Sequence, residues 1–124
     1  PYAVRVVITG SRPDPSAFGE FPHFISFDGF IDVEYTPEQL ERVALISEPF
    51  CRYAKWKGGP EPLPAQEKQV IEQLIAKSHK AGKPIRFWCS PDNAVAWETF
   101  RKLGIDIINT DQPEACTLYF QQNP

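Results

Sequence analysis

The sequence predicts an α/β fold built on parallel strands, and three observations carry that prediction. Five short apolar runs each end in a glycine, proline or acidic breaker. Amphipathic stretches at helical spacing lie between and after them. Strands that alternate with helices need crossover connections, which make neighbouring strands parallel. With 124 residues, 42% of them hydrophobic and 13% aromatic, the chain is long enough for one core and too short for two ordinary domains. Residues 1–124 are therefore expected to form a single domain or part of a barrel.

Taken in order, Val4-Arg5-Val6-Val7-Ile8-Thr9 predicts a strand over 4–9, stopped by Gly10-Ser11-Arg12-Pro13. The proline-bearing segment before Pro22 has room for a turn or so. Phe24-Ile25-Ser26-Phe27 predicts the second strand, over 24–27, stopped by Asp28-Gly29. Thr36-Pro37-Glu38 opens a short helix through Arg42. The third strand, 43–47, ends at Glu48-Pro49. A helix over 65–81 follows, with Val70, Ile71, Leu74, Ile75 and Ser78 on one stripe, Pro64 at its start and Gly82 as its stop. Ile85-Arg86-Phe87-Trp88-Cys89 is the fourth strand, 85–89. Ser90 with Pro91 suits the start of a helix over 91–103, before Gly104. The fifth strand is 105–109, and Asp111-Gln112-Pro113-Glu114 has capping-box spacing for a last helix over 112–120.

Right-handed crossovers place all strand C-terminal ends on one rim, where α/β proteins keep their sites. Two architectures fit five such strands. One is the C-terminal half of a (β/α)8 (TIM) barrel, which needs about 250 residues when whole. The other is a complete five-stranded flavodoxin-like sheet. The first crossover is short for a helix across a sheet face, which favours the barrel. The chain has no methionine and begins at Pro1, so it is expected to be a processed or excised part of a longer protein.

Several classes are excluded. No apolar run approaches the roughly 20 residues of a membrane-spanning helix. A net charge of −3 with dispersed basic residues argues against nucleic acid. The aromatic content excludes disorder. Cys51, Cys89 and Cys116 are odd in number and lack CxxC spacing, so they are expected to be packing residues rather than a disulfide framework.

The stretch Ala81-Gly82-Lys83-Pro84-Ile85-Arg86-Phe87-Trp88-Cys89-Ser90-Pro91-Asp92, then Trp97, then Leu103-Gly104-Ile105-Asp106-Ile107-Ile108-Asn109-Thr110-Asp111-Gln112-Pro113-Glu114, resembles the end of a phosphatidylinositol phospholipase C-like or glycerophosphodiester phosphodiesterase barrel. Gly10-Ser11-Arg12-Pro13, Phe27-Asp28-Gly29 and Leu45-Ile46-Ser47 are similar to its middle strands. The resemblance implies a hydrolase of lipid metabolism that cleaves phosphodiesters. Two histidines would act as acid and base, and carboxylates would hold a divalent cation, calcium or magnesium, against the phosphate. It also implies that those groups come from early strands in "H-R-G" and "E-x-D" motifs, which this chain lacks. The expected role is thus the substrate-side half, inactive alone and binding no metal alone. Its partners would be the missing N-terminal half or a second copy in a homodimer, and a small phosphodiester. Relatives of this kind suggest a secreted or periplasmic setting; the sequence itself assigns no compartment. The alternatives are a stand-alone α/β binding or regulatory module, or a pseudoenzyme fragment.

The candidate substrate-binding residues follow from position. Trp88 lies two residues beyond Arg86 on the same side of the fourth strand, nearer its C-terminal end. By resemblance it walls the pocket, and core packing is the rival reading. Arg86, facing inward, needs a carboxylate partner or serves as a phosphate anchor. Arg12 in the first rim loop has a guanidinium suited to phosphate, or is simply solvated. Asp28 and Glu48 follow strands and are expected to project to the rim; Asp92 and Asp111 do too, with helix-start roles as the plainer explanation. His23 and His79 precede strands and so lie toward the opposite rim, poor positions for catalysis. Trp97 reads as core, and the loop from Tyr53 to Pro60 reads as a substrate cover with an aromatic tip or as a contact with a second chain.

Overall fold

Five parallel strands pair side by side in chain order, β1-β2-β3-β4-β5, in a computed structural model that describes residues 4–124. The first three residues, Pro1 included, lie outside the described residues. The strands are β1 (Val6–Ile8), β2 (Ile25–Gly29), β3 (Val43–Pro49), β4 (Ile85–Trp88) and β5 (Ile107–Ile108). A 3-10 turn (Pro15–Glu20) fills the short first crossover. The helices are α1 (Pro37–Glu41), α2 (Phe50–Tyr53), α3 (Ala65–Lys80), α4 (Ala94–Leu103) and α5 (Pro113–Gln122). The α/β class with parallel strands is as expected, and the five-stranded sheet has the strand count of either architecture.

Register divides the sheet into two unlike faces. Phe27 pairs with Val43, Ile46 with Ile85 and Phe87 with Ile108. These side chains meet Ile71 and Ile75 of α3, Ala96 and Phe100 of α4, and Phe50 in one buried cluster. Phe50 sits edge-on to Phe87 and Phe100, with centroids 6.1 and 5.4 Å away. Each such ring, truncated to alanine, costs about 3–5 kcal/mol. The opposite face carries the alternate residues: Ser26, Asp28, Leu45, Ser47, Arg86, Trp88 and Ile107.

Helix starts hold two surprises. At α1, Thr36 and Gln39 form the reciprocal capping box that Thr36-Pro37 promised in part. Helix α4 begins three residues later than Ser90-Pro91 suggested, because the Asn93 side chain accepts from the Ala96 N–H and caps it. The expected box at Asp111 does not form: Gln112 precedes α5 without a side-chain cap. The Asp111 N–H is instead taken by the Asp92 carboxylate.

Candidate functional site

The C-terminal rim is braced from each strand to the next. Behind β1, the Arg12 guanidinium pairs with the Asp28 carboxylate at the end of β2 and lies over the Phe30 ring, 3.9 Å from its centroid. Both partners are nearly buried, so Arg12 is neutralised within the chain rather than held out to a ligand. Behind β2, the Ile31 N–H donates to Glu48 Oε1 at 2.7 Å, and the Tyr53 hydroxyl donates to Glu48 Oε2 at 3.0 Å. Burial and this carboxylate push the Tyr53 phenol up to about 12. Glu48 is 1% exposed and stands on the helix side of the sheet, with Ile46 and Phe87, not on the side that carries Asp28. The two carboxylates expected to converge at the rim are therefore separated by the sheet.

Behind β3, Cys51 in α2 is disulfide-bonded to Cys89, with Cα atoms 5.6 Å apart. This corrects the expectation that all three cysteines merely pack; only Cys116 is free, and it is buried. The pairing follows from register: Pro49 lies beside Trp88, so residues just past the two strand ends meet. Behind β4, Asp92 accepts from the Trp97 indole N–H at 2.8 Å, the Asp111 N–H at 2.9 Å and the Gln112 amide. Burial opposes its ionisation, yet hydrogen bonds from Thr110, Asp111, Trp97 and Gln112 prevail and hold its pKa below the ordinary value. A rim tied at every step keeps its loops in one geometry, as a preorganised binding edge requires.

The sheet face away from the helices supplies the reactive-looking surface. Arg86 Nε and Nη2 both reach the Ser47 hydroxyl, at 3.2 and 2.9 Å. Among the described residues Arg86 has no carboxylate partner, and Arg5, hydrogen-bonded to Ser26 at 2.6 Å, has none either. The carboxylate that an inward Arg86 was expected to need is thus not supplied by these residues. Trp88, on the same face, is 44% exposed, so core packing does not account for it. The pair offers a cation and a flat apolar wall side by side.

Other candidates fall elsewhere. His79 lies 2.7 Å from Asp106 Oδ2, which also accepts the Ile85 N–H, at the opposite rim; His23 is exposed before β2. Trp97 is buried beside Tyr119 with centroids 6.0 Å apart. The loop after α2 does not hold its aromatic residue outward: Trp56 is buried against Phe100, and its indole donates to the Glu61 carbonyl at 2.7 Å. Gly58 explains the inward course, since a Cβ there would meet Asn93 Nδ2 at 2.7 Å and Pro91 Cβ at 2.9 Å, with φ at 87°. Among the described residues no group of three or more His, Cys, Asp or Glu side chains is placed to hold a metal ion, and no helix is long and apolar enough to cross a membrane. Comparison with family models, curated proteins and solved structures finds no match for this chain.

Proposed function

We propose that this chain is the substrate-side half of a closed parallel β/α cylinder that hydrolyses small phosphodiesters with metal assistance. The observation that carries the reading is Arg86 beside Trp88 on the sheet face that the helices leave open. A guanidinium without a carboxylate is suited to a phosphodiester anion, and the exposed indole suits the carbon skeleton of a glycerol or inositol group. Strand order supports the cylinder. In a doubly wound sheet the order reverses at a switch point, whereas each barrel strand pairs with the next in sequence, as β1 to β5 do. Acid, base and metal carboxylates would come from the complementary strands. In that arrangement Arg12, Asp28 and Glu48 shape the rim, while Arg86 and Trp88 touch substrate.

The test has two arms. Bis-p-nitrophenyl phosphate, offered to this chain with and without magnesium or calcium, is expected to stay intact; metal-dependent turnover would place the acid and base here and overturn the division of labour. Glycerophosphodiesters titrated into the chain should perturb the Trp88 indole resonance, and Arg86→Ala should weaken that binding about tenfold, the scale of one charged hydrogen bond. No perturbation at Trp88 at millimolar ligand removes the basis of the assignment.

A further inference from the structure

The Cys51–Cys89 bridge joins two rim segments whose inner ends are held without it. On one side Phe50 is buried in the core before Cys51, and the Tyr53 hydroxyl bound to Glu48 and the buried Ala54 hold the chain after it. Arg52 between them makes an exposed pair with Asp32 at 3.8 Å and lies over the Tyr53 ring. On the other side Phe87 is buried and Trp88 is the last paired strand residue. Beyond it the Ser90 hydroxyl donates back to the Phe87 carbonyl at 3.3 Å, and the chain is next tied to another segment at Asp92. Between these anchors Cys89 takes φ 53°, a left-handed backbone rare for any residue but glycine. Both bridged cysteines are exposed residues at the rim, whereas Cys116 is buried in α5 and takes no part.

We propose that Cys51–Cys89 is an oxidation-operated strap: closing it completes the rim beside Trp88, and opening it frees Cys51–Arg52 and the Cys89–Pro91 segment to move between their anchors while the core stays folded. This is independent of the phosphodiesterase reading. Closing is thiol–disulfide exchange with a small or protein disulfide. One cysteine thiolate attacks the oxidant disulfide and expels one thiol. The second cysteine then attacks the mixed disulfide and expels the other. Two electrons and two protons pass from the cysteines to the oxidant, which leaves as two thiols. The strap therefore closes in an oxidising compartment and opens in a reducing one.

The test uses the whole chain with oxidised glutathione or dithiothreitol. Denatured samples should show one titratable thiol after oxidation and three after reduction. Reduction should lower the backbone NMR order parameters of Cys51–Arg52 and Cys89–Ser90 from the rigid range of about 0.85 toward about 0.6, while those of Ile85 to Phe87 stay rigid. The double variant C51S/C89S should show the same pattern under both conditions, with unchanged far-ultraviolet circular dichroism. Three thiols after oxidation, unchanged backbone order at Cys51–Arg52 and Cys89–Ser90 on reduction, or loss of the whole fold by the reduced protein or the double variant would each overturn the proposal, the last by making the bridge a general staple.

Discussion

Arg12 and Asp28 form a demanding contact, because two opposite charges share a nearly buried site at the ends of β1 and β2. Removing one partner leaves the other charged and poorly hydrated, a loss of about 3–5 kcal/mol. Arg12→Ala is expected to fall in that range in urea unfolding, and Arg12→Ala with Asp28→Leu to recover most of it. A single-variant loss below about 1 kcal/mol would show that water solvates Asp28 after all. The sequence marked both residues but not their bond, since nothing local says which rim loop bends over which strand. Glu48 was expected just past the third strand, over the rim; β3 instead runs on to Pro49, so Glu48 is a strand residue and takes the face of Ile46 and Phe87. A register shift between Phe27 and Asp28, opposite Val43 and Leu45, also puts Val43 and Ile46 on one side, so alternation cannot be counted from the start of β3. Arg86 and Trp88 lie on a strand without such a shift, and there the count of two places them on one face.

At the scale of elements, the connections into α4 and α5 turn on Asp92. Asp92→Ala leaves the Trp97 indole, the Asp111 N–H and the Gln112 amide without their acceptor, and is expected to cost about 1–3 kcal/mol by thermal or urea unfolding. The folded carboxyl ionises below its ordinary value, so its contribution is complete above the unfolded pKa of about 4 and fades as pH falls through the lower folded value. Asp106 behaves alike: burial opposes its ionisation, but His79 and the Ile85 N–H outweigh that. Stability should therefore decline below about pH 4, and Asp92→Asn should flatten that decline. An unchanged acid limb in the variant would remove Asp92 from the account. Apolar runs and most of the α3 stripe were legible because they depend on local pattern: Ile71, Ile75 and Ser78 are buried, whereas Val70 at the stripe's edge is exposed. The start of α4 was not, because Asp92 and Cys89 are claimed by distant partners and the helix waits for Asn93. The disulfide left only half a signal: Cys89 lies at the predicted end of its strand, but Cys51 lies four residues past the predicted end of the third strand at 47 and comes near because β3 runs on to Pro49.

For the molecule as a whole, the unlike faces of the sheet set the outcome. Helices bury one face, while the other presents Trp88, Ile107 at 39% exposure, and the cations Arg5 and Arg86. Among the described residues β1 and β5 each pair with one strand only, so they form the two edges of the sheet, the places where a further strand could add. A sheet with two free edges and a half-apolar open face gains by covering both at once. A second copy provides this by edge pairing, in the same parallel sense that the complementary barrel strands would. This chain is therefore expected to sediment as a dimer at micromolar concentration. Ile107→Lys, which places a charge on an edge and on the open face together, should return it to a monomer without changing its circular dichroism. High salt should leave the dimer largely intact, since screening also relieves the repulsion between facing arginines. A well-folded monomer at every concentration would mean that the open face is stable in water, and the case for a complementary half would lose its physical motive.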